Sequence, residues 1–256
     1  MAVRTEAAMR RAIDSECGSI SLLCCAIVLA IGSLLAVPAT AQVTVTTPMK
    51  FDSDAKVGFR YRRDVTEAST ATMAHEPERA WALLEPVIGF CDGLGEAGVD
   101  IISVASVAEY DEYMATAGHG KPTEWIDTAC PSAYKAAAFL HVEAKRIDDA
   151  LRFLDKASAL APYWAEPFAE RGYLLNTSGR ASEALDAYAR GLELIDKFPS
   201  NAYAKAIMLR GVGYAHVELG NLELAEKAYR DSLAIDPESD VAKREIEFIE
   251  RAQRKR

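Results

Sequence analysis

The strongest constraint on this chain is a short segment that occurs three times in its second half. The copies begin at Ile147, Ala181 and Leu222. The alanine at their fourth position recurs as Ala150, Ala184 and Ala225, which are 34 and then 41 positions apart. The longer interval contains extra residues around 197–201. A period of this size indicates a stack of two-element units, each of which buries its apolar face against the next.

Particular positions within the period resemble the tetratricopeptide repeat, which is a pair of helices about 34 residues long. The small residue of its first helix is matched by Ala138, Gly172 and Gly213. The aromatic residue of its second helix is matched by Tyr188 and Tyr229, with Leu154 in the first copy. Its terminal proline is matched by Pro162 and Pro237, whereas Asp196 departs. The resemblance implies an all-α solenoid of three repeats, at 131–164, 165–198 and 206–239.

The residues after the last repeat, 240–256, predict a helix that caps the stack. Ala242, Ile246 and Ile249 fall on one face, and charged residues occupy the other. A terminal helix with a polar outer face shields the last apolar surface of a solenoid from water. The basic end, 254–256, is expected to be a solvated tail.

Residues 42–130 have a less regular pattern. Weak alternation around Val43, Val45 and 59–61 leaves two alternatives, a short hairpin and a mobile arm. From Glu76 the pattern is helical, and 79–84 resembles the second helix of a repeat. This stretch lies about two periods before the first repeat, so a degenerate pair of repeats is one interpretation. A further helix is expected over 102–116, and overall this region is expected to be mostly helical.

The first 41 residues have the pattern of a secretory signal peptide. Three arginines precede an apolar run over 20–37, which is followed by the small-residue ending Ala39-Thr40-Ala41. This pattern predicts cleavage before Gln42 and export, to the periplasm if the cell is bacterial. The apolar run is close to the roughly 18 to 20 residues that span a bilayer. A retained membrane anchor is therefore the alternative, and the uncleaved leader is the only expected contact with a membrane.

Two cysteines, Cys91 and Cys130, lie outside this leader. An oxidising compartment permits one disulfide between them, and both lie beside turn signals. The alternative is two buried thiols that never meet. Because they form no C-x-x-C motif, we expect a structural role for them rather than a redox role.

The sequence offers no pattern typical of catalysis or of a metal or cofactor site. The stretch 93–98 reads G-x-G-x-x-G, but a dinucleotide site needs a preceding strand and a parallel sheet, which are not expected here. His141 and His216 occupy equivalent ends of first helices, so packing explains both. The net charge is −9 with dispersed basic residues, which argues against binding nucleic acid. We therefore expect neither an enzyme nor a bound cofactor.

The resemblance implies a binding site on the inner face of the first helices, where this family holds an extended peptide or a helix of another protein. The positions transferred from the family are Lys135, Phe139, Val142, Tyr173, Asn176, Arg210, Tyr214 and Val217. Phe139, Tyr173 and Tyr214 share one repeat position and should form a ladder, with packing between helices as the alternative. Lys135 and Arg210 are placed to meet an acidic residue or a carboxylate. The family's chaperone-tail clamp has asparagines where Phe139 and Tyr173 stand, so that ligand is not expected.

Together these features predict a scaffold or adaptor for protein–protein interactions in the cell envelope. The alternative is a dedicated inhibitor or chaperone of one secreted protein. A scaffold is expected to have several partners, whereas an inhibitor or chaperone is expected to have one tight partner.

Overall fold

The computed structural model of the chain describes residues 57–95, 97–118 and 120–254. These ranges belong to the second of the chain's two compact units, which covers Thr47–Arg256. The expected leader, its cleavage position, Val43, Val45 and the last two residues of the basic tail lie outside the described residues.

The described residues are mainly helical, and the all-α solenoid predicted from the repeats is confirmed. The chain first forms a 3-10 turn (Phe59–Tyr61), α1 (Arg62–Met73), α2 (Pro77–Asp92), β1 (Asp100–Ile102), α3 (Val107–Thr116) and β2 (Thr123–Trp125). The repeat region then forms α4 (Ala129–Glu143), α5 (Ile147–Leu160), α6 (Glu166–Thr177), α7 (Ala181–Lys197), a 3-10 helix (Pro199–Ala204), α8 (Lys205–Glu218), α9 (Leu222–Ile235) and α10 (Asp240–Gln253). Within these ranges, no helix combines the length and apolarity that crossing a membrane requires.

Each pair of repeat helices crosses where a small residue meets a large ring. A β-carbon added to Gly172 would lie 2.5 Å from the ring of Tyr188, and one added to Gly213 would lie 2.7 Å from the ring of Tyr229. The recurring Ala184 is fully buried beside these rings' helices. The glycines and the aromatics of the period are therefore complementary parts of one contact, which explains why they recur together.

The capping helix α10 covers the last repeat. Ala242, Ile246 and Ile249 pack against Ala225 and Tyr229 of α9. At its start, the backbone N–H of Ala242 donates to Ser239 Oγ at 3.4 Å. An N-cap serine of this kind satisfies a helix N–H that has no partner within the helix.

One helical hairpin, α1 and α2, precedes the repeats, where a pair of degenerate repeats was one interpretation. Val65, Leu84 and Val87 from this hairpin pack against Ala133 and Ala137 of α4 in one apolar cluster. The remaining interval before α4 is filled by β1, α3 and β2. A second helical pair is thus absent from this interval as far as it is described.

Two details of this region correct the sequence-based expectations. The hairpin expectation is wrong for Phe59–Tyr61, which form a 3-10 turn, although Val57 makes an isolated parallel bridge to Ile126. The helix expected over 102–116 begins only at Val107, because Ile102 ends β1 and Ser106 caps the helix.

The strands β1 and β2 pair in parallel, with Asp100 opposite Thr123 and Ile102 opposite Trp125. The expectation that no parallel strands would be present is therefore wrong. The glycine-rich stretch nevertheless follows α2 and precedes β1, which is the reverse of the order in a dinucleotide-binding unit. Its interpretation as a turn between elements stands.

Candidate functional site

A groove runs along the surface formed by α4, α6, α8 and α10. The aromatic side chains predicted to form a ladder along it, Phe139, Tyr173 and Tyr214, are 38%, 57% and 41% exposed. Tyr173 lines a small cavity together with Phe139 and a larger one together with Tyr214. The three rings thus lie in sequence along one surface, and this exposure disfavours the alternative that they only fill space between helices.

The larger cavity, about 480 Å³ in volume, lies between α6, α8 and α10. Buried Tyr188 and Tyr229 reach it from α7 and α9. Tyr173, Ile207 and Val241 add exposed apolar surface to its walls. The cavity therefore joins an apolar lining to the aromatic ladder.

Tyr203 and Ile207 extend the groove and were missed by the transfer of repeat positions. They are 60% and 58% exposed, and Tyr203 lines a third cavity, about 240 Å³ in volume, with Trp164. The indole Nε1–H of Trp164 donates to Tyr203 Oη at 3.3 Å. Tyr203 lies in the residues that lengthen the second repeat interval, so alignment to the period passed over it. The helical spacing of 203, 207, 210 and 214 is the signal that could have found it.

Three other predicted residues contribute little accessible surface to the groove. Asn176 is 5% exposed, and its Nδ2 donates to the carbonyl oxygen of Gly211 at 2.9 Å. Val142 and Val217 are half-buried and pack against apolar clusters of the repeats. Asn176 still lines the larger cavity, and Val142 lines the small one.

Both predicted cations of the groove are already paired within the chain. Lys135 Nζ lies 2.7 Å from Glu166 Oε1, and Arg210 Nη1 lies 3.0 Å from Asp236 Oδ2. The expectation that Lys135 and Arg210 stand ready for an acidic ligand is thus corrected, because their charges are neutralised by neighbouring carboxylates. Nothing in this arrangement favours an acidic partner.

Glu170 is the carboxylate of α6 that faces both the small and the larger cavity. Burial raises the pKa of its carboxyl group, and the charge of Glu166 adds to the rise while Lys135 opposes it. A half-buried carboxylate of this kind is costly unless a positive charge or hydrogen-bond donors approach it.

The structure joins Cys91 of α2 to Cys130 of α4 in a disulfide, with an S–S distance of 2.01 Å. This is the pair that the sequence analysis expected to form. The bond lies beneath the hairpin that precedes the repeats, and both cysteines belong to its apolar cluster.

His141 is packed among rings rather than placed for chemistry. Its imidazole stacks on Phe153 with centroids 5.0 Å apart and meets Trp81 edge-on at 5.3 Å. Burial lowers the pKa of His141, and burial also lowers the pKa of His216. Among the described residues, no cluster of histidine, cysteine and acidic side chains could hold a metal ion.

Comparison with known proteins gives distant similarities. No family model matches the chain. The protein bimA of Emericella nidulans is 28% identical over 116 residues, which are 45% of this chain and 14% of bimA, so the chain spans only a small part of that protein. A solved structure described as the first TPR of Spaghetti (RPAP3) bound to HSP90 peptide SRMEEVD is 19% identical with a TM-score of 0.45, covering 50% of this chain and 95% of that one. A structure of MamA AMB-1 is 15% identical with a TM-score of 0.47, covering 76% of this chain and 82% of that one.

Proposed function

We propose that this chain, a tetratricopeptide-repeat protein, is a scaffold or adaptor that holds a peptide or helix of another protein in its groove. The supporting observation is the distribution of exposed rings. Among the described residues the exposed aromatic side chains are Phe139, Tyr173, Tyr203, Tyr214 and Phe248. The first four line the cavities of the groove.

Exposed rings arranged in this way favour a binding surface over chance exposure. Aromatic side chains bury a large area at a small cost in conformational entropy, so they are common anchors of protein interfaces. A bound segment that follows the groove would contact Tyr203, Tyr173 and Phe139 from successive first helices or their starts.

We further propose that the protein acts in the cell envelope after export, in a bacterial-type cell. The signal-peptide pattern of the first 41 residues and the Cys91–Cys130 disulfide support this location. The number of proteins that crosslink to the groove distinguishes a scaffold, which has several partners, from a dedicated inhibitor or chaperone, which has one.

The test is a single truncation in the centre of the groove. A partner is first identified by crosslinking through a photoreactive residue placed at position 139, and its affinity is then measured with purified components. We expect Tyr173→Ala to weaken binding by more than about 1 kcal/mol, because the ring acts as an interface anchor. We expect its free energy of unfolding to change by less than about 0.5 kcal/mol, because the ring is exposed.

Leu224→Ala is the matched control. Leu224 is 51% exposed on α9 and lines none of the cavities of the groove. This variant should change neither stability nor affinity. A loss of stability in Tyr173→Ala with unchanged affinity per folded molecule would show that the ring is a packing residue and would contradict the proposal.

A further inference from the structure

Two carboxylates of the larger cavity lack a cation. Glu170 on α6 and Glu245 on α10 both line it, and within the described residues neither makes a hydrogen bond or an ion pair. The cavity also contains Arg210, but that guanidinium is bonded to Asp236 at 3.0 Å. The cavity therefore carries an unneutralised negative charge in a largely apolar lining.

Asn176 adds a second, independent feature at the same cavity. Its side chain is 5% exposed, and its Oδ1 has no hydrogen-bond partner among the described residues. The amide orientation is fixed, because Nδ2 donates to the carbonyl oxygen of Gly211 and a carbonyl can only accept. The cavity wall thus holds an acceptor for which the chain supplies no donor.

Carboxylates, an amide oxygen and exposed tyrosine rings together define the chemistry of the missing group. The carboxylates and the amide need a donor that is positively charged, and the rings of Tyr173 and Tyr214 favour a flat cation. A guanidinium meets both needs, because it presents five N–H donors in one plane and stacks on aromatic faces. An ammonium group is a compact, strongly hydrated point charge and fits such a site less well.

We propose that the segment bound in the groove carries an arginine side chain, which enters the cavity between α6, α8 and α10 and pairs with Glu170. Apolar side chains on either side of that arginine lie against the aromatic residues of the groove. This inference rests on the proposed function, since it specifies the kind of peptide that the groove takes. The burial of Glu170, which raises the pKa of its carboxyl group, supports it, because an incoming cation would relieve that burial.

The experiment uses an array of apolar-rich peptides of 12 residues, each made in three versions with arginine, citrulline or glutamate at the centre. Citrulline keeps the shape of arginine and removes its charge. For the strongest binders, affinity is measured in solution by fluorescence anisotropy. We expect the arginine version to bind the wild-type protein about tenfold more tightly than the citrulline version, because hydrogen bonds to a charged group exceed neutral ones by roughly 1 kcal/mol or more.

Variants locate the preference. Glu170→Gln keeps the volume of the side chain and should remove most of the preference for arginine while leaving the affinity for citrulline peptides unchanged. Glu223→Gln is the matched control, because it makes the same change of charge at an exposed position on α9 outside the cavity, and it should keep the preference. If Glu170→Gln does not fold, Glu245→Gln at the opposite wall is used, and a reduced preference is again expected.

The outcomes separate this inference from the proposed function. Equal binding of arginine and citrulline versions, a preference for glutamate, or an arginine preference that survives both glutamine variants overturns the inference. The proposed function survives those outcomes if Tyr173→Ala weakens the same peptides. If no peptide of the array binds the wild-type protein, both proposals fail.

Discussion

At the residue scale, the crossing of α6 and α7 depends on a position that has no room for a β-carbon. Tyr188, which is 3% exposed, lies against Gly172 of its own repeat and also against Gly211 of the next one. One ring therefore fixes two helix approaches, one within a repeat and one between repeats. Burial raises the pKa of Tyr188, as expected for a phenol that is held away from water.

We predict that Gly172→Ala lowers the free energy of unfolding by about 1 to 3 kcal/mol, because the added methyl group overpacks the contact with the Tyr188 ring. Urea unfolding of both proteins measures the difference. Gly89→Ala is the matched control, since Gly89 lies in α2 with nothing within 4 Å of its added β-carbon. That variant should be neutral or more stable by up to about 1 kcal/mol, because alanine favours helix. A loss of stability of the same size in both variants would contradict the packing explanation.

At the scale of elements, the hairpin α1–α2 is attached to α4 by several different bonds. Arg62 of α1 forms a salt bridge with buried Asp127, just before α4, at 2.7 Å. Tyr134 Oη of α4 donates to Asp92 at the end of α2 at 2.5 Å. The disulfide joins the same two helices, α2 and α4, across 39 positions of sequence.

We predict that reduction of this disulfide lowers the free energy of unfolding by about 3 to 4 kcal/mol, because the bond closes a loop of that length in the unfolded chain. Urea unfolding with and without reductant measures the loss. The double variant Cys91→Ser/Cys130→Ser should be insensitive to reductant. Alkylation of the denatured protein without reductant, followed by peptide mapping, should leave Cys91 and Cys130 unlabelled. Complete labelling of both would rule the bond out.

At the scale of the whole chain, the proposed export and the disulfide are linked, because structural disulfides persist in oxidising compartments and are rare in the cytosol. The arginines, apolar run and Ala39-Thr40-Ala41 ending belong to the first of the chain's two compact units, and the disulfide belongs to the second.

We predict that the protein isolated from its native cells begins at Gln42, because the Ala39-Thr40-Ala41 ending is typical of a signal-peptidase site. Intact-mass measurement of the soluble and membrane fractions tests this. Changing the ending with Ala39→Asp and Ala41→Asp should block cleavage and leave the full-length chain in the membrane fraction. Full-length wild-type protein in the membrane fraction would instead support the retained anchor.

The repeats, the helical fold, the capping helix and the aromatic ladder could all be predicted from the sequence, because each is a local pattern. Gly172 and Tyr188, or Ala242 and Ile246, need only a period and a helical turn to indicate which face is buried. The same patterns left β1 and β2 unpredicted, since three-residue strands carry little periodic signal and their pairing joins Asp100 to Thr123 across α3.

The electrostatic character of the groove could not be predicted from the sequence. Lys135 and Arg210 stand at positions that suggest a basic site, yet Glu166 and Asp236, 31 and 26 positions away, neutralise them. Glu170 differs from Glu166 only in facing a cavity instead of a lysine, and helix packing alone makes that difference. Repeat position therefore identifies which side chains line the surface, whereas long-range packing determines which of their charges remain available to a partner.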